Sequence, residues 1–163
     1  MDEQRYESSV KQIPFPQQTV YNKLSNLNNL TAVKERLNNP DARAKMQEQG
    51  ASEQEIDQLS ERLQSMTFDR DSVSCNVPPV GTLALRIIER DEPKCIKFET
   101  LNSPVPANLW IQLLPVSENT CKMKLTLGAQ LNIFIKGMLE PHLNEGIEKL
   151  ANILASIPYD SNN

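Results

Sequence analysis

The only histidine is the first side chain to consider for chemistry in this 163-residue sequence. His142 follows Pro141 in a stretch with helical periodicity, where a metal site would need further ligands at helical spacing. Met138 and Gly146, four residues away, and Leu139, three residues before, are not zinc ligands. No Gly-x-Ser-x-Gly elbow supplies a nucleophile that His142 would serve as a base. We expect His142 to lie at the surface or at a cavity rim. We also expect the protein to have no metal site and no catalytic residue.

Arg70 is a second candidate, because it lies between Asp69 and Asp71 in a stretch predicted as strand. If it points inward, its guanidinium can anchor a carboxylate or a head group. Such triplets are more often exposed, with their charges paired among themselves. Four other side chains can each offer a ligand one hydrogen bond, and their spacing favours none of them: Tyr6, Tyr21, Trp110 and Gln112.

The three cysteines, Cys75, Cys95 and Cys121, are 20 and 26 residues apart. An odd number without a Cys-x-x-Cys pair favours neither a disulfide framework nor a zinc site, so we expect reduced thiols in a cytoplasmic protein. The five glycines form no Gly-x-Gly arrangement that would cradle a phosphate. We therefore expect no cofactor.

Composition excludes several classes of protein. A net charge of −4 and a pI near 5.1 argue against a nucleic-acid-binding surface, which needs basic residues to neutralise phosphates. No apolar run approaches the roughly 20 residues that span a bilayer. The polar start of the chain, MDEQRYESS, lacks the features of a secretory signal. The length predicts a single domain over residues 1–163.

A long C-terminal helix is predicted to organise the fold and to position these side chains. Residues 132–156 repeat apolar side chains at intervals of three and four, the period of an α-helix. The stripe consists of Ile135, Leu139, Leu143, Ile147, Leu150 and Leu154. Residues 120–131, just before it, alternate apolar and polar, which predicts a half-buried strand. Pro141 removes one helical hydrogen bond; we expect it to fit the helix to the sheet's curvature, although a kink there would also widen a cavity entrance.

The rest of the chain predicts an α+β domain. Residues 5–13 are predicted to be a first strand with Tyr6, Ser8, Val10 and Gln12 on one side, followed by two short helices. The helical insertion 38–64 precedes a run of strands with period two, predicted at 65–77, 82–90, 94–100, 107–116 and 120–131. Together they predict a curved antiparallel sheet of about six strands wrapped around the C-terminal helix.

The insertion is acidic. Residues 40–64 hold six acids against three bases, a net charge of −3 that accounts for most of the −4 of the chain. A capping box, Ser52-x-x-Glu55, predicts the start of its second helix. We expect a solvated surface hairpin; a lid over a cavity mouth or a contact for a protein partner are the alternatives.

The ordered fragments of the chain resemble the helix-grip fold of the START-like superfamily, also called SRPBCC. The fragments are VxxIP at 10–14, VYxxLSxL at 20–27, VGxL at 80–83, ERDEPKxIKF at 89–98, WxQLxP at 110–115 and LAxxL at 150–154. The superfamily includes birch-pollen-allergen-type proteins, lipid-transfer domains, polyketide cyclases and Hsp90-activator-like domains. The resemblance implies a cavity between the long helix and the concave face of the sheet.

The side chains expected to line such a cavity are apolar. They are Leu85, Ile87, Phe98, Ile111, Leu113, Met123, Leu125, Met138, Leu139 and Leu143, with Leu83, Ile96, Leu109, Leu127 and Ile147 in the same stripes. The same stripes can equally form a solid interior, as most apolar faces do. The sequence leaves both possibilities open.

Three functions are compatible with this pattern. Our leading hypothesis is non-enzymatic binding or transport of a hydrophobic small molecule or lipid, because no catalytic constellation is present in the sequence. A polyketide cyclase- or aromatase-like enzyme would need polar side chains such as Arg70, Tyr21 or His142 to converge in the cavity. An interaction module resembling the Hsp90 activators would use residues 40–64.

Overall fold

The computed structural model describes residues 3–36, 39–48, 52–77, 81–101, 106–155, 157 and 159. Within them, one antiparallel sheet contains eight strands. The strands are β1 (Glu3–Glu7), β2 (Lys11–Ile13), β3 (Thr67–Phe68), β4 (Ser72–Val77), β5 (Gly81–Asp91), β6 (Cys95–Leu101), β7 (Ala107–Pro115) and β8 (Cys121–Gln130). Their order across the sheet is β1-β8-β7-β6-β5-β4-β3, and β2 also pairs with β8.

Five helices belong to the described residues, and the last of them covers the sheet. They are α1 (Gln17–Leu24), α2 (Asn28–Arg36), α3 (Pro40–Glu48), α4 (Glu53–Gln64) and α5 (Ile133–Ala155). Asn132 starts α5 immediately after β8, because its side-chain oxygen accepts the N–H of Ile135 at 2.9 Å. The 23-residue α5 packs along β8, β1 and β2. The predicted α+β class, with an antiparallel sheet and a long C-terminal helix, is confirmed.

Helices α3 and α4 form the acidic hairpin. Arg43 of α3 donates a hydrogen bond to the carboxylate of Asp57 of α4 at 2.6 Å, which ties the two helices together. Ile56 and Leu63 of α4 are buried, so this helix packs against the domain. A role for the hairpin as a lid or as a contact for a protein partner stays a prediction.

The predicted first strand is divided in two by a bulge. Between β1 and β2 the chain has three residues, 8–10, where β8 has two, 124–125. One extra residue reverses the faces of the residues that follow it. Tyr6 is therefore buried, whereas Val10 and Gln12 are exposed. The prediction that these three side chains share one face was wrong for this reason.

The predicted strand 65–77 is also two strands, which raises the number from about six to eight. Asp69 makes the turn between β3 and β4, because its carboxylate accepts the N–H groups of Asp71 at 3.1 Å and Ser72 at 2.9 Å. The Ser72 hydroxyl donates to the same carboxylate at 2.8 Å. These bonds, the hydroxyl bond first, lower the pKa of Asp69.

The interior is most densely filled at the end of the sheet where α5 finishes. Fully buried side chains there come from both ends of the chain and from the sheet: Ile13, Val20, Leu24, Ile96, Leu113, Met123, Leu125, Ile157 and Tyr159. Tyr159 donates its hydroxyl proton to the backbone oxygen of Leu154 at 2.5 Å. Its ring meets Phe15 edge-on, with the ring centroids 6.1 Å apart. This end of the domain is a solid core.

Candidate functional site

The second half of α5 is fixed to the sheet. Ile147, Ala151 and Leu154 are buried against it. The carboxylate of Glu148 accepts the backbone N–H of Ser9 at 2.8 Å and the Ser9 hydroxyl at 2.7 Å, and it also pairs with the ammonium of Lys11. These bonds join α5 to the bulge between β1 and β2. They lower the pKa of Glu148 from 4.5 to about 2, the Lys11 bond having the largest effect.

Glu148→Gln should remove a pH-dependent part of the stability. Because the folded-state pKa of Glu148 is depressed, its contribution is present above about pH 4.5 and is lost as the pH falls toward 2. The side chain is 39% exposed, so solvent screening limits the contribution to about 1 kcal/mol. Unfolding free energies measured from pH 7 to pH 2 should differ at pH 7 and converge near pH 2. The exposed Glu118→Gln is the control, and curves that stay parallel over this range would contradict the prediction.

The first half of α5 is loosely packed. Leu139 is buried, but Ile135 and Leu143, on the same inward stripe, are only half-buried. The outward side chains of this half are large and apolar: Ile133 is 87%, Phe134 86% and Met138 63% exposed. Pro141 lies between the two halves of the helix. The coverage of the sheet therefore weakens toward the start of α5.

On the concave face of the sheet, side-chain burial also decreases toward the start of α5. This is clearest in rows of neighbouring residues that run across the strands from β5 to β1. The row at the start of α5 contains the pairs Leu85–Thr100, Ala107–Ala129 and Ala129–Gln4, and the N–H of Ala107 donates to the hydroxyl of Thr100 at 3.1 Å. The next row is Ile87, Phe98, Leu109, Leu127 and Tyr6. In the first row all but Ala129 are half-buried, and in the second row only Leu127 is. Farther along, Ile96, Ile111 and Leu125 are fully buried.

We use the name helix–sheet cleft for the region bounded by the first half of α5 and the first two rows of the sheet. Among the inward-facing side chains of the sheet, Leu85 and Leu127 are half-buried there, whereas Ile96, Ile111 and Leu125, farther along, are buried. The lining is mostly apolar, as in sites for hydrophobic ligands.

Solved structures share this architecture from one end of the chain to the other. Norcoclaurine synthase from Thalictrum flavum, in complex with dopamine and hydroxybenzaldehyde, matches with a TM-score of 0.65 at 11% identity, over 99% of this chain and 90% of that one. The di-domain ARO/CYC protein BexL matches with a TM-score of 0.61 at 13% identity, over 95% of this chain and 45% of that one. A conserved protein from Geobacillus kaustophilus matches with a TM-score of 0.51 at 13% identity, over 93% and 90%.

The chain has the helix-grip fold that these solved structures share. No protein-family profile and no curated protein sequence matches it, so the likeness is one of structure. At identities of 11–13% it establishes the fold, while function has to be argued from the side chains of this helix-grip domain.

The ten side chains predicted to line a cavity are distributed along the helix-grip interior. Leu85 and Leu143 are half-buried at the cleft, Ile87 and Phe98 form its second row, and Leu139 covers it from α5. Four others belong to the solid core: Ile111, Leu113, Met123 and Leu125. Met138 is exposed, because it lies one position before Leu139 and therefore about 100° around the helix from it.

The polar side chains considered for catalysis do not converge. Arg70 and His142 are exposed. Tyr21 is buried in α1, where burial first and then the charge of Glu92 raise the pKa of its hydroxyl. The combination of Arg70, Tyr21 and His142 therefore forms no common site.

Trp110 and Gln112 are on the outer face of the sheet. The guanidinium carbon of Arg5 and the Nζ of Lys97 are 5.3 Å and 5.2 Å from the centre of the Trp110 ring, a geometry of cation–π contacts. Gln112 accepts a hydrogen bond from the hydroxyl of Thr126 at 3.3 Å. Both side chains point away from the cleft.

Cys95 and Cys121 are free thiols, and burial raises the pKa of both. The side chain of Cys75 lies outside the described ones. Within the described ranges, no group of three histidine, cysteine or acidic side chains is placed to hold a metal ion. None of the helices described has the length and apolar character required to cross a membrane.

Tyr6 is a polar side chain that does face the cleft. It belongs to the second row of the concave face, is 5% exposed, and has a pKa raised by burial and by the charge of Glu140 on α5. The sequence ranked Tyr6 equally with three other side chains, because nothing in the spacing separates an inward tyrosine from an outward one across a bulged strand.

Proposed function

We propose that the protein binds a hydrophobic small molecule or lipid, without catalysis, in the helix–sheet cleft. The observation that supports this most directly is the incomplete burial of inward apolar side chains beneath the first half of α5. Such side chains lose contact with water when an apolar molecule occupies the cleft, at about 25 cal/mol per Å² of buried apolar area. A bound ligand would contact the half-buried apolar side chains that the first half of α5 does not cover.

The fold supports the same proposal. Norcoclaurine synthase, which shares it, holds dopamine and hydroxybenzaldehyde in its solved complex. The side chains required for a cyclase-like reaction, Arg70 and His142 in particular, are exposed in this chain. Binding without catalysis is therefore the function that these residues favour.

The proposal is tested by titrating the purified protein with a panel of fluorescent lipids of increasing chain length, which contains both fatty acids and their uncharged methyl esters. We expect saturable binding at one site per chain, with displacement by the unlabelled lipid. A panel in which no member binds saturably would refute the proposal.

A further inference from the structure

Tyr6 carries a buried polar atom for which the fold supplies no partner. Its hydroxyl is shielded from solvent, and no donor or acceptor among the described residues is within hydrogen-bond distance of it. Buried polar groups are almost always hydrogen-bonded, because burying one unpaired disfavours the folded state. An unpaired hydroxyl is therefore a signal that something else completes its hydrogen bond.

The position of Tyr6 indicates where that partner would lie. Glu3, Arg5 and Glu7 face the outer side of β1, where Glu7 pairs with Lys124 and Arg5 lies over Trp110. Tyr6 alternates with them, so it faces the concave side. There it pairs in register with Leu127, whose side chain is half-buried at the cleft. Tyr6 thus faces the side of the sheet that bounds the cleft, with its hydroxyl shielded from solvent.

The charges near the hydroxyl favour a neutral partner. Glu140, on the stretch of α5 that covers the cleft, raises the pKa of Tyr6, so it places negative potential at the hydroxyl. A phenol that stays protonated beside a carboxylate donates well to a neutral oxygen, whereas an anionic ligand would be repelled.

We propose that Tyr6 anchors the ligand by donating a hydrogen bond to an uncharged acceptor oxygen, a carbonyl or a hydroxyl. The ligand class is then apolar molecules with one neutral oxygen function, as distinct from ionised fatty acids. This inference rests on the proposed binding function and narrows its chemistry.

The experiment uses three probes with one naphthalene scaffold: 2-acetylnaphthalene, the isosteric hydrocarbon 2-isopropenylnaphthalene, and 2-naphthoate. Each is titrated into the wild-type protein, Tyr6→Phe and Tyr21→Phe. Tyr21 is the matched control, because it is also buried but lies in α1, outside the cleft. We expect Tyr6→Phe to lower the ratio of ketone to hydrocarbon affinity roughly tenfold, and Tyr21→Phe to leave this ratio unchanged. Naphthoate should bind most weakly to the wild type.

Thermal unfolding distinguishes this role from a structural one. Tyr6→Phe removes an unpaired buried hydroxyl, so its midpoint should equal or exceed that of the wild type. An unchanged affinity ratio would overturn the inference while leaving the proposed function intact, since both neutral probes would still bind. A lowered midpoint with equal loss for all probes, tightest binding of naphthoate, or no binding of any probe would also overturn it. If no probe binds, titration with the fluorescent lipid panel shows separately whether the proposed function also fails.

Discussion

Leu127→Trp is expected to weaken ligand binding at least tenfold while the protein stays folded. Leu127 lies on β8, between β1 and β7, in the second row of the concave face, and is half-buried at the cleft. An indole there would occupy the space that the ligand needs, and a loss of about 1.4 kcal/mol of binding free energy is already tenfold in Kd. The measurement is the dissociation constant of the best-binding member of the fluorescent lipid panel.

The matched control is Leu114→Trp. Leu114 is an exposed leucine on the neighbouring strand β7 and faces the outer side, so the same change in side chain should leave binding unaltered. Circular dichroism and thermal unfolding establish that both variants are folded. If Leu127→Trp bound the probe as tightly as Leu114→Trp does, the site would lie elsewhere on the molecule.

Tyr159→Ala should cause the largest loss of stability, about 3–5 kcal/mol in the free energy of unfolding. The side chain is 2% exposed and closes the solid core at the end of α5. Removing it would leave a cavity beside Phe15 and would delete the hydrogen bond to the Leu154 oxygen. Urea denaturation of the wild type and the variant gives the difference directly.

Tyr159→Phe separates the contribution of the hydroxyl from that of the ring, and Phe134→Ala is the control for the loss of an aromatic ring. Tyr159→Phe keeps the ring and removes only the hydroxyl, so it should cost about 1 kcal/mol. Phe134→Ala removes an aromatic ring that is exposed on α5, and its effect should stay within about 0.5 kcal/mol. Equal costs for Tyr159→Ala and Phe134→Ala would show that the C-terminal segment does not belong to the core.

The elements with strong periodicity were predicted well. The helix predicted over 132–156 is observed at Ile133–Ala155, and the strand predicted over 120–131 is observed at Cys121–Gln130. In both elements, burial repeats with the period of the secondary structure. The apolar pattern of a few neighbouring residues is therefore enough to predict the element. The antiparallel order followed in turn from short connections between successive strands.

The misjudged elements are those where a side chain redirects the backbone. The bulge at residues 8–10 and the Asp69 turn both interrupt what is locally a continuous strand pattern. Their cost is offset by bonds to distant partners, such as the Ser8 backbone bond to Leu125 at 2.9 Å. A hydrogen bond to a partner more than a hundred residues away cannot be predicted from the local sequence pattern.

By itself, the sequence determined the class of the domain, the face that each major element turns inward and the apolar character of the interior. Only the tertiary structure decided that the inward side chains of the sheet are buried at one end of this interior and half-buried at the other. It also decided that Tyr6, rather than Arg70 or His142, faces the cleft. The physical reason is that an apolar stripe specifies which side of a helix is buried. How completely it is buried depends on contacts with distant segments, such as the hydrogen bonds of Ser9 to Glu148, which hold the second half of α5 on the sheet.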